Sequence, residues 1–221
     1  MKYAVRLSLA VIVSALLVAS TGYAGEPVFT GFLVDYKDLA PGPEDGADFR
    51  YIKAGVDFKK YKKVMLDNVV FFFAEDSKYK GIESTTLTEL SKTFNEEVVK
   101  ALGNDFPIVA APGPDVMRVR VAITKLEGAN PGRSVVSSVV PVAMALSVVQ
   151  KAVTGGWTGV GRTGIELEAL DSLTNERIGA AVHEHIGSKA SSFTTWGSAR
   201  EAFQFWAGRM RVMLDKAREL P

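Results

Sequence analysis

The sequence predicts an α+β fold, a mixed or antiparallel sheet of about four to five strands with two main helices packed on it. Three observations carry this. Apolar residues alternate at Met117, Val119, Val121 and Ile123, and again at Ile165, Leu167 and Ala169, the period of half-buried strands. Apolar residues recur at helical spacing from Leu87 to Leu102 and from Phe203 to Ala217. The elements follow one another as strand, helix, strand, apolar insert, strand, strand, helix, which places helices on a mixed or antiparallel sheet.

The chain opens with an export pattern. Lys2 and Arg6 precede an apolar run from Leu7 to Val18 that softens into Ala19, Ser20, Thr21 and Gly22. Gly22-Tyr23-Ala24 supplies small residues at the third and first places before a cut, so residues 1–24 are expected to be a signal peptide cleaved after Ala24. The run is shorter than the roughly 20 residues that cross a bilayer as a helix, which argues against an uncleaved anchor. Taking those 24 residues from 221 leaves 197, the size of one domain with one core.

Charge and cysteine content exclude several partners. Losing Lys2 and Arg6 from the 26 basic residues leaves 24 against 25 acidic ones, a formal charge of −1. A nucleic-acid binder needs a basic excess to neutralise phosphates, so no nucleic acid is expected. With no cysteine there is neither a disulfide nor the residue that carries a lipoprotein's lipid, and the domain must be stabilised by burial. A soluble periplasmic protein without a lipid anchor is expected.

Residues 25–57 contain Pro27, Pro41 and Pro43, glycines, and the acids Glu44, Asp45 and Asp48, the composition of an extended arm with turns. Phe29, Phe32, Tyr36, Phe49 and Tyr51 are too many aromatics for a disordered tail, so the arm is expected to lie against a single domain formed by residues 58–221. Val64 to Leu66 and Val69 to Phe73 form a nearly continuous apolar run that suits a central strand. A helix follows, with Thr86 and Glu89 in capping-box spacing and Gly103 as its stop.

After Pro112 to Pro114 comes the strand around Met117 to Thr124. Ile165 to Ala169 and Arg177 to Ile186 then form a hairpin across a turn at Asp171 to Glu176. If the two strands pair antiparallel, Arg118 and Arg120 sit opposite Glu168 and Glu166 on a solvent face. The last helix runs from about Ser198 to Glu219, with Ser198 and Glu201 in capping-box spacing.

Few candidate sites survive scrutiny. Gly159, Gly161 and Gly164 have G-x-G-x-x-G spacing, but a strand follows them where a dinucleotide fold needs a helix N-terminus. His183 and His185 are two apart on a strand, so both rings share one face. They are the metal-ligand candidates, although a structural zinc wants four ligands and a solvated strand face is the simpler reading. Glu184 falls on the core side with Ile178, Ala180, Val182 and Ile186, the pattern of a strand end that meets water or an arginine. No serine stands in a G-x-S-x-G elbow, so no enzyme activity and no cofactor are expected.

The most unusual segment is Ser134 to Gln150, 17 residues without a charge, bracketed by Arg133 and Lys151. Pro141 interrupts it as a helix, and it is just short of a membrane span. A buried packing segment is its ordinary reading. Its sharper reading is a surface on which Val139, Val142, Met144, Leu146 and Val149 meet an envelope protein, a second copy or the membrane periphery.

Taken together, several stretches resemble family 3313 of the domains of unknown function, bacterial envelope proteins many of which look like lipoproteins. The resemblance rests on Gly31-Phe32-Leu33 with Asp35-Tyr36, Pro41-Gly42-Pro43, Gly46-Ala47-Asp48, Tyr61, Val119 to Thr124, Thr154-Gly155-Gly156, Asp171 with Thr174, and Trp206-Ala207. It implies an envelope location and no established activity. A non-catalytic interaction or assembly-accessory domain is therefore expected, with a small-ligand or metal-binding protein as the alternative. Hydrogen exchange over Ser134 to Gln150 separates the two readings of that segment. Strong protection in buffer alone is expected for packing, whereas fast exchange that slows only with micelles marks a contact surface.

Overall fold

The computed structural model describes residues 29–73, 81–130 and 159–219. The expected signal segment 1–24 and the surface candidates Val139, Val142, Met144, Leu146 and Val149 lie outside the described residues. The strands are β1 (Ala40–Pro41), β2 (Phe49–Ile52), β3 (Lys63–Leu66), β4 (Val70–Phe71), β5 (Val116–Glu127), β6 (Arg162–Asp171) and β7 (Arg177–Ile186). The helices are α1 (Ser84–Leu102) and α2 (Gly197–Glu219).

One 7-stranded sheet has the order β1-β2-β7-β6-β5-β3, with β4 also beside β5. β3 and β4 run parallel to β5, and the other pairs are antiparallel, so the sheet is mixed. The expected α+β class holds, while the expected strand count of four to five is too low. Two causes account for the difference. The turn-rich arm supplies β1 and β2, which pair onto β7 through Phe49↔Val182 and Tyr51↔Ala180. The apolar run at Val64 to Phe73 is two short edge strands in place of one central strand, because Asp67 breaks it and gives its carboxylate to Arg118.

Both helices lie on one face of the sheet. Leu90, Phe94, Val98 and Leu102 of α1 are buried against Val119, Val121 and Ile123 of β5 and Phe203 and Trp206 of α2. Phe94 meets Phe203 edge to face with centroids 5.5 Å apart, a geometry worth about 0.5–1.5 kcal/mol beyond the area buried. Gly103 stops α1 as expected, at φ +55 with its N–H returned to the Val99 carbonyl. Neither capping box forms. α1 starts at Ser84, ahead of Thr86, and Ser198 and Glu201 of α2 tie down Gly161 and Ser188 instead.

The opposite face of the sheet is covered by residues 30–39, which act as a strap. Leu33 is fully buried on Ala180 and Val182, with Tyr36, Leu39 and Phe49 around it. The strap is anchored by Glu166, a fully buried carboxylate in the middle of β6. Its Oε1 accepts from Thr30 N at 2.8 Å and Thr30 Oγ1 at 2.9 Å, and its Oε2 from Leu33 N at 3.2 Å and the Tyr36 hydroxyl at 2.6 Å. Burial and this carboxylate push the Tyr36 phenol up to about 12, so it stays a donor.

The observed β5–β6 register differs from the expected one. Arg120 faces Glu168, Ala122 faces Glu166 and Arg118 faces Leu170, two residues displaced from the expectation. The acids on β6 are also buried under the strap, not set on a solvent face.

Glu166→Ala should therefore remove an acceptor from four donors at once, of which Leu33 N keeps the Tyr36 hydroxyl. An unfolding titration is expected to show a loss of about 3 kcal/mol, together with faster proteolysis within residues 30–39. A variant as stable and as resistant as the parent would mean that the strap is held by its apolar contacts alone.

Candidate functional site

The outer face carries the most elaborate polar arrangement among the described residues. A cleft of about 680 Å³ opens between the strap and the exposed ends of β5, β6 and β7. Val34 and Asp35 of the strap form one wall, Tyr51 and Leu170 contribute apolar surface, and Arg118, Arg120, Arg177 and Glu168 form the floor. Strand alternation puts Arg118 and Arg120 on this face because Met117, Val119 and Val121 face the helices.

Each arginine is held in place. Arg118 makes a two-pronged contact with Asp67, from Nε at 3.0 Å and Nη2 at 2.7 Å, and its Nη1 donates to Asn175 Oδ1 at 2.9 Å. Asn175 reaches it from a left-handed backbone at φ +56, a conformation asparagine tolerates well. Arg120 lies over the Phe32 ring, 5.2 Å from its centroid. Arg177 Nη1 donates to the Asp35 carbonyl at 2.7 Å, which fixes the strap to β7.

Below the cleft the hairpin turn is tied by one carboxylate. Asp171 accepts from Lys60, from Tyr61 and from the Leu173 and Thr174 amides, at 2.8 to 3.1 Å. The Lys60 ammonium, with help from these amides and Tyr61, holds its carboxyl well below the usual range. Three residues that carried the family resemblance, Tyr61, Asp171 and Thr174, thus meet in one knot. Five others, Gly31, Phe32, Leu33, Asp35 and Tyr36, belong to the strap.

The two histidines share one face, as their spacing requires, but that face is turned toward α2 and not toward solvent. The Phe205 ring lies 5.3 Å from each imidazole, and the Trp206 ring meets His183 edge-on. The solvated reading is corrected because Phe205 projects over the end of β7. His183 Nδ1 stands 3.3 Å from Asp48 Oδ2, close but outside hydrogen-bond geometry, and His185 Nε2 stands 3.8 Å from Glu201 Oε1. Among the described residues no three His, Cys, Asp or Glu side chains are grouped to hold a metal ion. Glu201 stands between His185 and the serines Ser188 and Ser191, an order unsuited to activating a serine hydroxyl.

Glu184 lies on the strap side of β7 and meets Lys125 at 2.8 Å and Arg162 at 3.0 Å, the arginine-paired strand end expected for it. Gly164 sits inside β6 opposite the bulge between Ile123 and Lys125, where a Cβ would come within 2.9 Å of the Lys125 side chain. Gly159 turns at φ +82 and Gly161 hugs the end of β5, so the three glycines admit close backbone packing and lead into a strand.

Burial lowers the His185 pKa, against a smaller opposing pull from Glu201. The folded state therefore resists a proton that the unfolded chain takes up below about 6.5. Stability should be level at neutral pH and should fall as pH drops through the histidine range, above the separate loss at lower pH when carboxylates such as Asp171 protonate. Denaturation midpoints of the parent and His185→Gln across that range test this, with the variant expected to lack the first decline.

Comparison with solved structures returns distant likenesses. A single-substitution variant of the PelC dodecamer and the PelC dodecamer from Paraburkholderia phytofirmans give TM-scores of 0.39 and 0.35 at 9% identity, covering 73% and 66% of this chain and 96% and 89% of those chains. A putative neuraminyllactose-binding hemagglutinin homolog from Helicobacter pylori gives 0.31 at 13% identity, over 73% of this chain and 84% of that one. No curated protein matches. The family model for Protein of unknown function (DUF3313) matches residues 29–210, from the strap through most of α2, and the chain belongs to that family.

Proposed function

We propose that this chain is an exported, non-catalytic interaction domain of the bacterial cell envelope. The observation that carries the reading is the apolar flank at the β4 edge. A groove of about 820 Å³ runs between β4 and α1, lined by Val69, Phe71, Leu87 and Val99. Val99 is 54% exposed on its lip, and Val70 and Phe72, 42% and 43% exposed, continue apolar surface on the opposite face of the same edge. β4 pairs only with β5 among the described residues, and no other described strand lies along its other edge. An unpaired strand next to an apolar groove is a surface to which another polypeptide adds a strand or lays a helix.

Export is supported by the pattern of Lys2, Arg6, the apolar run and Gly22-Tyr23-Ala24. Among the described residues no helix is long and apolar enough to cross a membrane. The non-catalytic reading is supported by the way Asp67 and Glu168 on the outer face are tied to arginines.

A photoreactive residue in place of Val99 should give a discrete cross-linked species in the periplasmic fraction. The same residue at Met213, 52% exposed on α2 and outside the groove, should not. Light scattering on the adduct distinguishes a second copy from a different protein. Equal labelling at the two positions, or a chain retained in the cytoplasm, would overturn the proposal.

A further inference from the structure

The cleft on the outer face has unspent binding capacity that is independent of the groove at β4. Two guanidiniums converge there on one carboxylate. Arg120 Nη1 and Arg177 Nε each stand 2.7 Å from an oxygen of Glu168, whose side chain is only 8% exposed. Glu168 offsets one of the two positive charges, so the trio keeps a net charge of +1 at a place partly shielded from water.

Donors remain as well. A guanidinium carries five N–H groups in a rigid fork. Arg120 commits Nη1, and Arg177 commits Nε and Nη1. Arg120 Nε and Nη2 and Arg177 Nη2 have no acceptor among the described residues, on side chains 37% and 21% exposed. Half-buried N–H groups in a cleft need an oxygen partner, from water or from a ligand. Arg118 plays no such part because Asp67 and Asn175 occupy its fork.

The surroundings narrow the ligand. Asp35 is paired with Lys37 and Asp67 with Arg118, while Asp38 also lines the cleft and offsets the trio's charge, so a dianion would meet more repulsion than a single negative charge. Tyr51 and Leu170 offer apolar surface, and Val34, 91% exposed, overhangs the mouth. We propose that the cleft binds a ligand bearing one carboxylate, which bridges Arg120 and Arg177 while the body of the ligand lies along Tyr51 and Leu170.

Such a carboxylate belongs either to an acidic sugar or to the C-terminus of a short peptide. The test uses the full purified chain and amide-resolved NMR, with glucuronate, N-acetyl-alanyl-alanine, the uncharged amide of that dipeptide and inorganic phosphate as probes. At least one carboxylate probe should shift the amides of Val34, Leu170 and Asn175, the tighter of the two naming the source, and the dipeptide amide should leave them in place. Arg120→Gln should weaken binding about tenfold or more, the loss of one charge-assisted contact. Val34→Trp blocks the mouth from an exposed position without touching the core and should weaken it likewise. Equal response to the dipeptide acid and its amide, tighter binding of phosphate, unchanged affinity in both variants, or no shift with either carboxylate would overturn the proposal.

Discussion

A carboxylate without water must find donors, and in this protein that requirement organises one whole face of the sheet. Glu166 sits at the centre of β6 with no exposure, where an unpaired charge would be strongly destabilising. Its partners come from the strap, which supplies two backbone amides and two hydroxyls between Thr30 and Tyr36. Once these bonds form, Leu33 is seated on Ala180 and Val182 and the Asp35 carbonyl reaches Arg177. One wall of the arginine cleft is thus a consequence of satisfying one buried acid.

Much of the scaffold was legible because periodicity reports burial directly. The alternation at Met117 to Ile123, the hairpin at Ile165 to Ile186 and the stripes of both helices all mark residues that face the helix layer. The outer face was not legible by the same logic. Its strands alternate apolar with charged residues, the usual mark of a surface in water, yet Glu166 and Glu168 are buried there. The missing information lies far away in sequence, in strap residues whose aromatics signalled packing but not a location. The same limit affects the histidines. Their shared face followed from strand geometry, whereas the helix residue Phe205 that covers it is too distant for local pattern to assign.

The candidate site follows this division. Sequence reasoning singled out Arg118, Arg120, Glu166 and Glu168 as one set, but gave them a role in strand register. Their actual roles differ residue by residue. Arg118 locks Asp67 at the break between β3 and β4, Glu166 secures the strap, and Arg120 with Arg177 flanks Glu168. A two-residue displacement of register is enough to turn a ladder of surface pairs into three separate devices.

The span of the strap's anchoring bonds bears on how the chain reaches its native state. Thr30 and Glu166 are 136 positions apart, and Leu33 and Glu166 are 133. Among the described segments the strap is the first to be synthesised, yet its acceptor lies in β6 and its apolar seat in β7, after most of the polypeptide. Contacts of such long range raise contact order and slow folding, since a large loop must close before they form. The helix layer closes over a long span too, Phe94 of α1 meeting Phe203 of α2, whereas β6 and β7 pair across a short turn and are poised to assemble first. A nascent chain would carry the strap undocked and available to chaperones for longer than any other described segment.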